Sequence, residues 1–405
     1  MILDQISKLD KILILGFARE GQSTANFLKN RFPSLQIDSA DQKDGPDYLA
    51  HLRDYKIIIK TPGISPHKPE IEEAVKNGVM FTSQTQIFFD LCPGKIIGVT
   101  GTKGKSTTAS LIYHVLSQNN IKSVLAGNIG KPALDYLEEI NKDTWVVMEL
   151  SSYQLMDLQK SPHIAVLQHI YPDHLDYHLD FNEYKTAKLN ITKYQTGNDY
   201  LITAFDTPTN AKKIIIEPEP VESQLLGNHN LFNIKPSIII GEILGISKDK
   251  ILSAIKTFTP LDTRLTKIAT VNNITFYEDT LATIPEATIA ALDALSSGVK
   301  TLIAGGHERK QNYSNLAKKI LNSGISTLIL FPVTGERISQ EVKLLAQQIP
   351  QIFHVNSMSE AVKLAYENTP KGGIVLLSPG APSFTLFKDY RDESAQYRVA
   401  IKQLE

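Results

Sequence analysis

Short apolar runs alternate with amphipathic stretches along the chain, and the pattern restarts twice. Residues 11–16 (Lys-Ile-Leu-Ile-Leu-Gly) are an apolar run ending in glycine, the mark of a buried strand turning into a helix. Residues 22–29 continue as that helix. Residues 35–38 and 57–59 read as further strands, with Asp41 just past the first, and the Pro/Gly-rich run 61–66 is a turn. The second stretch opens near Pro93 and Gly94. It predicts a strand at 96–100, a helix at 106–118, and strands at 145–150 and 164–170. Residues 228–244 have a helical pattern, although Pro236 is expected to kink or delay that helix. The third stretch opens near Leu261. It predicts strands at 274–277, 301–304, 327–331 and 373–378, and a helix at 285–295 with a proline in its first turn. Strands that alternate with helices predict parallel, doubly wound sheets. The expected fold is α/β in three domains, at 1–92, 93–260 and 261–405. The first and last are Rossmann-like, and a parallel-sheet domain with a phosphate loop lies between them.

Composition narrows the class. A chain of 405 residues suits two to four domains at about 100–200 residues each. Hydrophobic residues at 42% and charged residues at 21% exclude wholesale disorder. Lys plus Arg number 42 and Asp plus Glu 43, a net charge of −1, so there is no global pull toward nucleic acid or an anionic membrane. An anionic substrate must be held by local groups. The one cysteine, Cys92, cannot form an intrachain disulfide or a cysteine zinc cluster. No signal-peptide pattern opens the chain and no run reaches membrane-spanning length. The expectation is a cytoplasmic monomer.

The strongest chemical signal is residues 98–108, Gly-Val-Thr-Gly-Thr-Lys-Gly-Lys-Ser-Thr-Thr, between a predicted strand and a predicted helix. Glycines at 98, 101 and 104 would let backbone N–H groups approach phosphate oxygens, and the helix start adds its positive end. Lys105 would neutralise the β/γ oxygens and Ser106 would offer a hydroxyl to Mg²⁺. The strict pattern wants glycine at 99, where this chain has valine, so the motif is a variant. The N-terminal turn Gly16-Phe-Ala-Arg-Glu-Gly21 is a weaker nucleotide signal, because Ala18 stands where the dinucleotide fingerprint has its second glycine.

Further segments follow the phosphate loop in order: Gly127-Asn-Ile-Gly130, Glu149-Leu-Ser-Ser-Tyr-Gln154, Pro172-Asp-His-Leu-Asp176, Ala187-Lys188, Gly227-Asn-His-Asn230, Arg264, Asp279 and Ser378-Pro-Gly-Ala-Pro-Ser383. Together they resemble the Mur ligases, and most closely the glutamate-adding branch. The resemblance covers nearly the whole chain. It implies a domain for a UDP group, a central ATPase, and a C-terminal domain for the incoming amino acid. The implied reaction joins glutamate to UDP-N-acetylmuramoyl-L-alanine at the expense of ATP, through an acyl phosphate.

Site residues carried over by the resemblance are these. ATP would be held by Gly101, Thr102, Lys103, Gly104, Lys105, Ser106 and Thr107, with Asn230, Arg264 and Asp279 from later in the chain. Arg264 could reach the γ-phosphate when domains close. Mg²⁺ would be held by Ser106, Glu149, His174 and Lys188, oxygen donors being preferred. By spacing alone Lys188 is an exposed helix lysine. The resemblance makes it a carbamylated ligand, which requires an amine with a depressed pKa. Lys185 competes for that role, and His178 competes with His174. The substrates would meet Asn128, Ser151, Ser152, Thr283, Ser383, Lys388 and Tyr390, and His229 is a further polar contact.

One position departs from the family pattern. The run Glu278-Asp-Thr-Leu-Ala-Thr-Ile284 has Leu281 where the D-glutamate enzymes carry a lysine for the incoming amino acid. Losing a cation opposite a desolvated carboxylate costs on the order of 2–5 kcal/mol unless the pocket is rebuilt. Either Thr283, Ser383, Lys388 and Tyr390 form a rearranged D-glutamate pocket, or the chain takes L-glutamate. A folylpolyglutamate-synthase-like ligase would lack a domain ahead of the loop. A catalytically silent nucleotide or UDP-sugar sensor is opposed by intact Lys105, Glu149, His174 and Lys188. A nicotinamide oxidoreductase is opposed by Ala18.

Overall fold

The computed structural model describes residues 2–404. Each predicted strand forms, most of them buried, although the edge strand at residues 36–40 is half-buried or exposed throughout. The N-terminal elements are α1 (Ile2–Ile6), β1 (Lys11–Leu15), α2 (Arg19–Arg31), β2 (Gln36–Ala40), β3 (Ile57–Lys60), α3 (Pro69–Lys76), β4 (Met80–Thr82) and α4 (Gln84–Leu91). Their parallel sheet has the order β2-β1-β3-β4. The central elements are β5 (Lys95–Thr100), α5 (Lys105–Gln118), β6 (Ser123–Gly127), β7 (Trp145–Glu149), α6 (Ser152–Leu155), β8 (Ile164–Leu167), α7 (Phe181–Leu189), β9 (Tyr200–Thr203), β10 (Lys212–Ile215), α8 (His229–Ile243) and α9 (Lys248–Thr257). That sheet is also parallel, in the order β10-β9-β8-β5-β7-β6.

The C-terminal elements are β11 (Thr266–Val271), β12 (Ile274–Glu278), α10 (Pro285–Leu295), β13 (Val299–Gly305), α11 (Ser314–Asn322), β14 (Thr327–Phe331), α12 (Thr334–Leu345), β15 (Gln351–His354), α13 (Met358–Asn368), β16 (Ile374–Leu377) and α14 (Tyr390–Lys402). Their sheet runs β11-β12-β16-β13-β14-β15. One strand departs from the expected parallel pattern. The edge strand β11 is antiparallel to β12, because Asn272 and Asn273 between them both take positive φ and make a tight hairpin.

The chain divides into two compact units, 1–220 with 232–255, and 221–231 with 256–405. The first unit contains two sheets that share one apolar cluster. Ile12, Ile14, Ile57 and Ile59 of the N-terminal sheet join Val146, Met148 and Leu155 of the central region, with Ile87 and Phe88 of α4 in the same cluster. Among the described residues no helix is long and apolar enough to cross a membrane.

Pro236 lies inside α8, which runs from His229 to Ile243. A proline leaves the carbonyl four residues earlier without its N–H partner. Here that carbonyl, of Phe232, accepts from Gln168 Nε2 at 3.0 Å, so the helix continues.

The second unit buries an acid without a counterpart. Glu278 accepts from Arg398 and, at 2.8 Å, from Ser394 Oγ. Both carboxyl oxygens of the neighbouring Glu393 are buried with no hydrogen-bond partner. Burial, and then the charge of Glu278, hold the Glu393 carboxyl well above the usual range. A raised acid pKa stabilises the fold at low pH, and that contribution is lost as pH climbs from about 4.5 through the folded-state value. Glu393→Gln should therefore match the wild type in melting temperature near pH 4 and exceed it by about 2 °C or more at pH 8. Calorimetry across that range checks the widening gap.

Candidate active site

Register sets the site. In the central sheet Gly127, Glu149 and Val99 pair across β6, β7 and β5, and Thr100 pairs with Leu167 of β8. These strands therefore end level, and the loops that follow them carry Asn128, residues 149–152, residues 101–106 and residues 168–174. The carboxyl ends of neighbouring parallel strands, where connections leave to opposite sides, form the natural crevice of such a sheet.

The phosphate turn is held from behind. Thr102 is buried: its N–H donates to His169 O at 2.9 Å and its hydroxyl accepts from Tyr171 N–H at 2.9 Å. The same hydroxyl meets the Tyr184 hydroxyl at 2.9 Å. Gly101 (φ +149°) and Gly104 (φ +84°) are glycines of necessity. A Cβ on Gly101 would lie 2.5 Å from Gln168 Cβ, and one on Gly104 would lie 2.0 Å from Asn233 Oδ1. Gly98 differs from the expectation. It sits inside β5, where the missing side chain makes room for Pro162 and Leu150 rather than for a phosphate. Lys105 opens α5, and its ammonium donates to the carbonyls of Gly101 and Thr102 at 3.1 and 3.0 Å. Ser106 is half-buried and Thr107 buried in the same first turn.

Glu149 is buried at the end of β7. One carboxylate oxygen accepts from Asn128 Nδ2 at 3.3 Å, and the other is buried with no partner. Ser151 caps α6 in a reciprocal box with Gln154. His174 adopts φ +57°, and its Nδ1 lies 2.6 Å from the Tyr153 hydroxyl. Asp173 is buried beside it, 3.9 Å from Lys103 Nζ. The two histidines differ in position: His178 is buried with Nε2 2.9 Å from Ser152 Oγ, while His174 lines the cavity. The lysines sort the same way. Tyr184, Ala187 and Lys188 form the buried face of α7, whereas Lys185 is exposed. Lys188 is thus no surface residue, as spacing alone implied. Burial first, and then Lys105 nearby, drive its amine well below the usual lysine range, against the opposing pull of Asp173 and Glu149.

Lys105, Lys188, Asn128, Ser151, Ser152 and His174 line one cavity of about 460 Å³. Its other wall comes from the N-terminal sheet: Ala18, Arg19 and Glu20 after β1, and Thr61, Pro62 and Gly63 after β3. Gly16 is required there because a Cβ would lie 1.9 Å from Thr61 Oγ1. Asp41 steadies the turn by accepting from Phe17 N–H at 2.7 Å. Tyr153, Arg19 and Glu20 were not identified from the sequence as site residues. The turn 61–66 was legible only as a turn.

The remaining expected residues lie in the second unit. Asp279 follows β12 and accepts from Leu265 N–H at 3.3 Å. Arg264 donates to Leu281 O at 3.4 Å, and its Nε is buried with no partner. Asn230 donates to Leu226 O at 2.7 Å. His229 is exposed, and the surrounding protein that partly desolvates it, followed by the charge of Arg264, lowers its pKa. Thr283 and Ser383 lie after the adjacent strands β12 and β16, and Ser383 is buried. Lys388 is exposed, and the Tyr390 hydroxyl accepts from Arg391 at 3.1 Å. Arg309, just beyond Gly305 and Gly306, belongs to the same strand-end region and carried no motif in the sequence.

Residues 99–221 match the Mur ligase middle domain, and residues 263–380 match the glutamate ligase domain of Mur ligases. A UDP-N-acetylmuramoylalanine--D-glutamate ligase of Acetivibrio thermocellus is 33% identical over 402 residues, 89% of this chain and 85% of that protein. The chain belongs to the Mur ligase family. A protein of the same name from Ruminiclostridium cellulolyticum is 30% identical over 423 residues, 95% of this chain and 90% of that protein. Among solved structures, a UDP-N-acetylmuramate-alanine ligase from Thermotoga maritima has a TM-score of 0.64 at 18% identity, covering 98% of this chain and 100% of that one. A MurF ligase from Thermotoga maritima, solved with ADP, has a TM-score of 0.61 at 15% identity, covering 98% and 97%. The three-sheet α/β architecture is thus that of the Mur ligases, an ATP-dependent family.

In this Mur ligase, Gly104→Ala should lower nucleotide affinity at least about tenfold and cost about 1–2 kcal/mol, because the methyl group meets Asn233 at a positive φ. Gly197→Ala, at a site with open space and ordinary φ, should change neither. Nucleotide titration and thermal melting of both variants check the contrast.

Proposed function

We propose that this Mur ligase joins D-glutamate to UDP-N-acetylmuramoyl-L-alanine in the cytoplasm, forming ADP and phosphate. Residues 1–92 would hold the nucleotide sugar, 93–260 ATP, and 261–405 the amino acid. The observation that carries the reading is one cavity shared by the phosphate turn, the buried amine of Lys188 and the N-terminal glycine turn. The relatives named for D-glutamate, at 33% and 30% identity, support the D form over the L form despite Leu281.

The chemistry follows from charge. An alanyl carboxylate must attack the γ-phosphorus of ATP, so two anions have to meet. Lys105, released from the carbonyls it now binds, would neutralise the β/γ oxygens, and Lys103 would lie alongside. The carboxylate oxygen bonds to phosphorus while the bond to the β-phosphate oxygen breaks and ADP leaves. The glutamate amine then attacks the acyl carbon. It loses its proton, and the carbon–oxygen bond to phosphate breaks. Arg264 and Asp279 would seat the nucleotide, with Asn230. Asn128, Ser151 and Ser152 would orient the muramoyl substrate, and Thr283, Ser383, Lys388 and Tyr390 the glutamate.

The residues present fit Mg²⁺. Glu149 has a buried carboxylate oxygen without a partner, and the Ser106 hydroxyl lies in the first turn of α5. His174 would complete the set with Lys188. Bound there, the ion would neutralise phosphate charge. Among the described residues His, Cys, Asp and Glu gather no group of three for a metal. An uncharged Lys188 amine can attack carbon dioxide, forming an N–C bond and losing a proton, and the resulting carbamate adds anionic oxygens.

Lys105→Ala should reduce phosphate release about 10²-fold or more with an unchanged melting temperature. The wild type should release phosphate with UDP-N-acetylmuramoyl-L-alanine and D-glutamate, and not with L-glutamate. Activity confined to the L form would reverse the stereochemical assignment. Stripping carbon dioxide should lower activity, and bicarbonate should restore it. With ¹³C-bicarbonate a carbamate resonance should appear in the wild type and be missing in Lys188→Ala.

A further inference from the structure

We propose that Glu20 is a positioning residue for the nucleotide-sugar substrate, acting through the Gln154 carboxamide on the Ser151 hydroxyl. The inference rests on the reading of Ser151 as a substrate contact.

Glu20 lies in the first turn of α2, on the N-terminal wall of the cavity. Its Oε1 accepts from Gln154 Nε2 at 2.9 Å. At the other end of that amide, Gln154 Oε1 accepts from Ser151 N–H at 2.9 Å and from Ser151 Oγ at 3.0 Å. The two ends of a carboxamide are nearly the same size but opposite in hydrogen-bonding sense. With no acceptor at position 20, the amide could turn over and bring its NH₂ against the Ser151 N–H, donor facing donor. The acceptor at Glu20 selects the orientation that holds the Ser151 hydroxyl. The Ser151 N–H favours the carbonyl end of the amide, and Glu20 reinforces that orientation by accepting from the other end, which matters in a helix of only four residues.

Glu20 is itself immobilised. Its backbone carbonyl accepts from Thr24 Oγ1 at 2.7 Å and from Gln84 Nε2 at 3.0 Å. Two neighbours in the same helix reach the same wall: Arg19 Nη2 donates to Gly130 O at 2.6 Å, and Ser23 Oγ to Asp135 Oδ1 at 2.6 Å. Oε2 of Glu20 is buried with no partner, and burial raises the pKa of the group against the weaker pull of Gln154, Arg19 and Lys60. Oε1 is an acceptor toward Gln154 Nε2 whether or not the acid carries a charge. A glutamine could supply the same acceptor.

Steady-state kinetics of the full chain with UDP-N-acetylmuramoyl-L-alanine, ATP and D-glutamate test this. Glu20→Ala should raise KM for the nucleotide sugar about tenfold, with kcat and the other two KM values within about twofold. Glu20→Gln should restore KM. Gln154→Glu alone places two carboxyls face to face and should raise the same KM. The double variant Glu20→Gln/Gln154→Glu keeps a donor–acceptor pair and should recover it. Ser151→Ala should raise that KM too, and adding Glu20→Ala to it should raise it no further. An unchanged KM in Glu20→Ala, failure of the double variant to recover, or additive effects of Glu20→Ala and Ser151→Ala would each overturn the proposal. If Glu20→Ala does not fold, Gln154→Glu and the double variant decide it. Failure of the wild type to use this substrate would instead remove the proposed function, and a normal KM in Ser151→Ala would remove the route through Ser151.

Discussion

The inward turn of Thr102 is the contact on which the site depends. A turn that offers backbone N–H groups to an anion has no side-chain core of its own, so something must hold it open from behind. Thr102 does this by spending its N–H and its hydroxyl on the segment after β8 and on Tyr184. Tyr184 is one helical turn before Lys188, on the same buried face of α7. One helix face therefore both braces the turn and delivers the amine to it. The level ends of β5, β6, β7 and β8 then bring the other loops to the same place.

Charge balance explains the rest of the cleft. Lys103, Lys105 and Lys188 share a poorly solvated space with Asp173 and Glu149. Three ammonium groups cannot all stay charged there at low cost. Lys103 and Lys105 have nearby oxygens, so the penalty falls on the fully buried Lys188, whose amine is driven well below the usual lysine range. The N-terminal wall presents the mirror case, with the Glu20 carboxyl pushed upward by burial. Both cases disfavour the charged form of a group next to the space where a substrate would lie.

Much of the fold was legible because buried parallel strands read as continuous apolar runs: Ile57 to Ile59 and Thr327 to Phe331 could hardly be anything else. Strand β11 was not legible, since Thr266 to Val271 is only partly buried and its hairpin turn is Asn-Asn, without the glycine that usually marks such turns. The phosphate loop was legible to within a residue, yet the reason for Gly98 was not, because Pro162 is distant in sequence. That Lys188 is buried where Lys185 is exposed, and that His174 lines the cavity where His178 does not, is not supplied by spacing alone. Glu20 and Arg19 look like ordinary helix-start residues until the central sheet is placed against them.

Gln168 has a consequence of a different kind. Its single amide closes the backbone bonding of α8 at Phe232 and also donates to Thr108 in α5, while its Cβ packs on Gly101. Segments more than a hundred residues apart thus share one small group. The gap that Pro236 leaves in the bonding of α8 is thus filled by a residue of the central sheet region, which ties α8 to the turn at Gly101 through one amide.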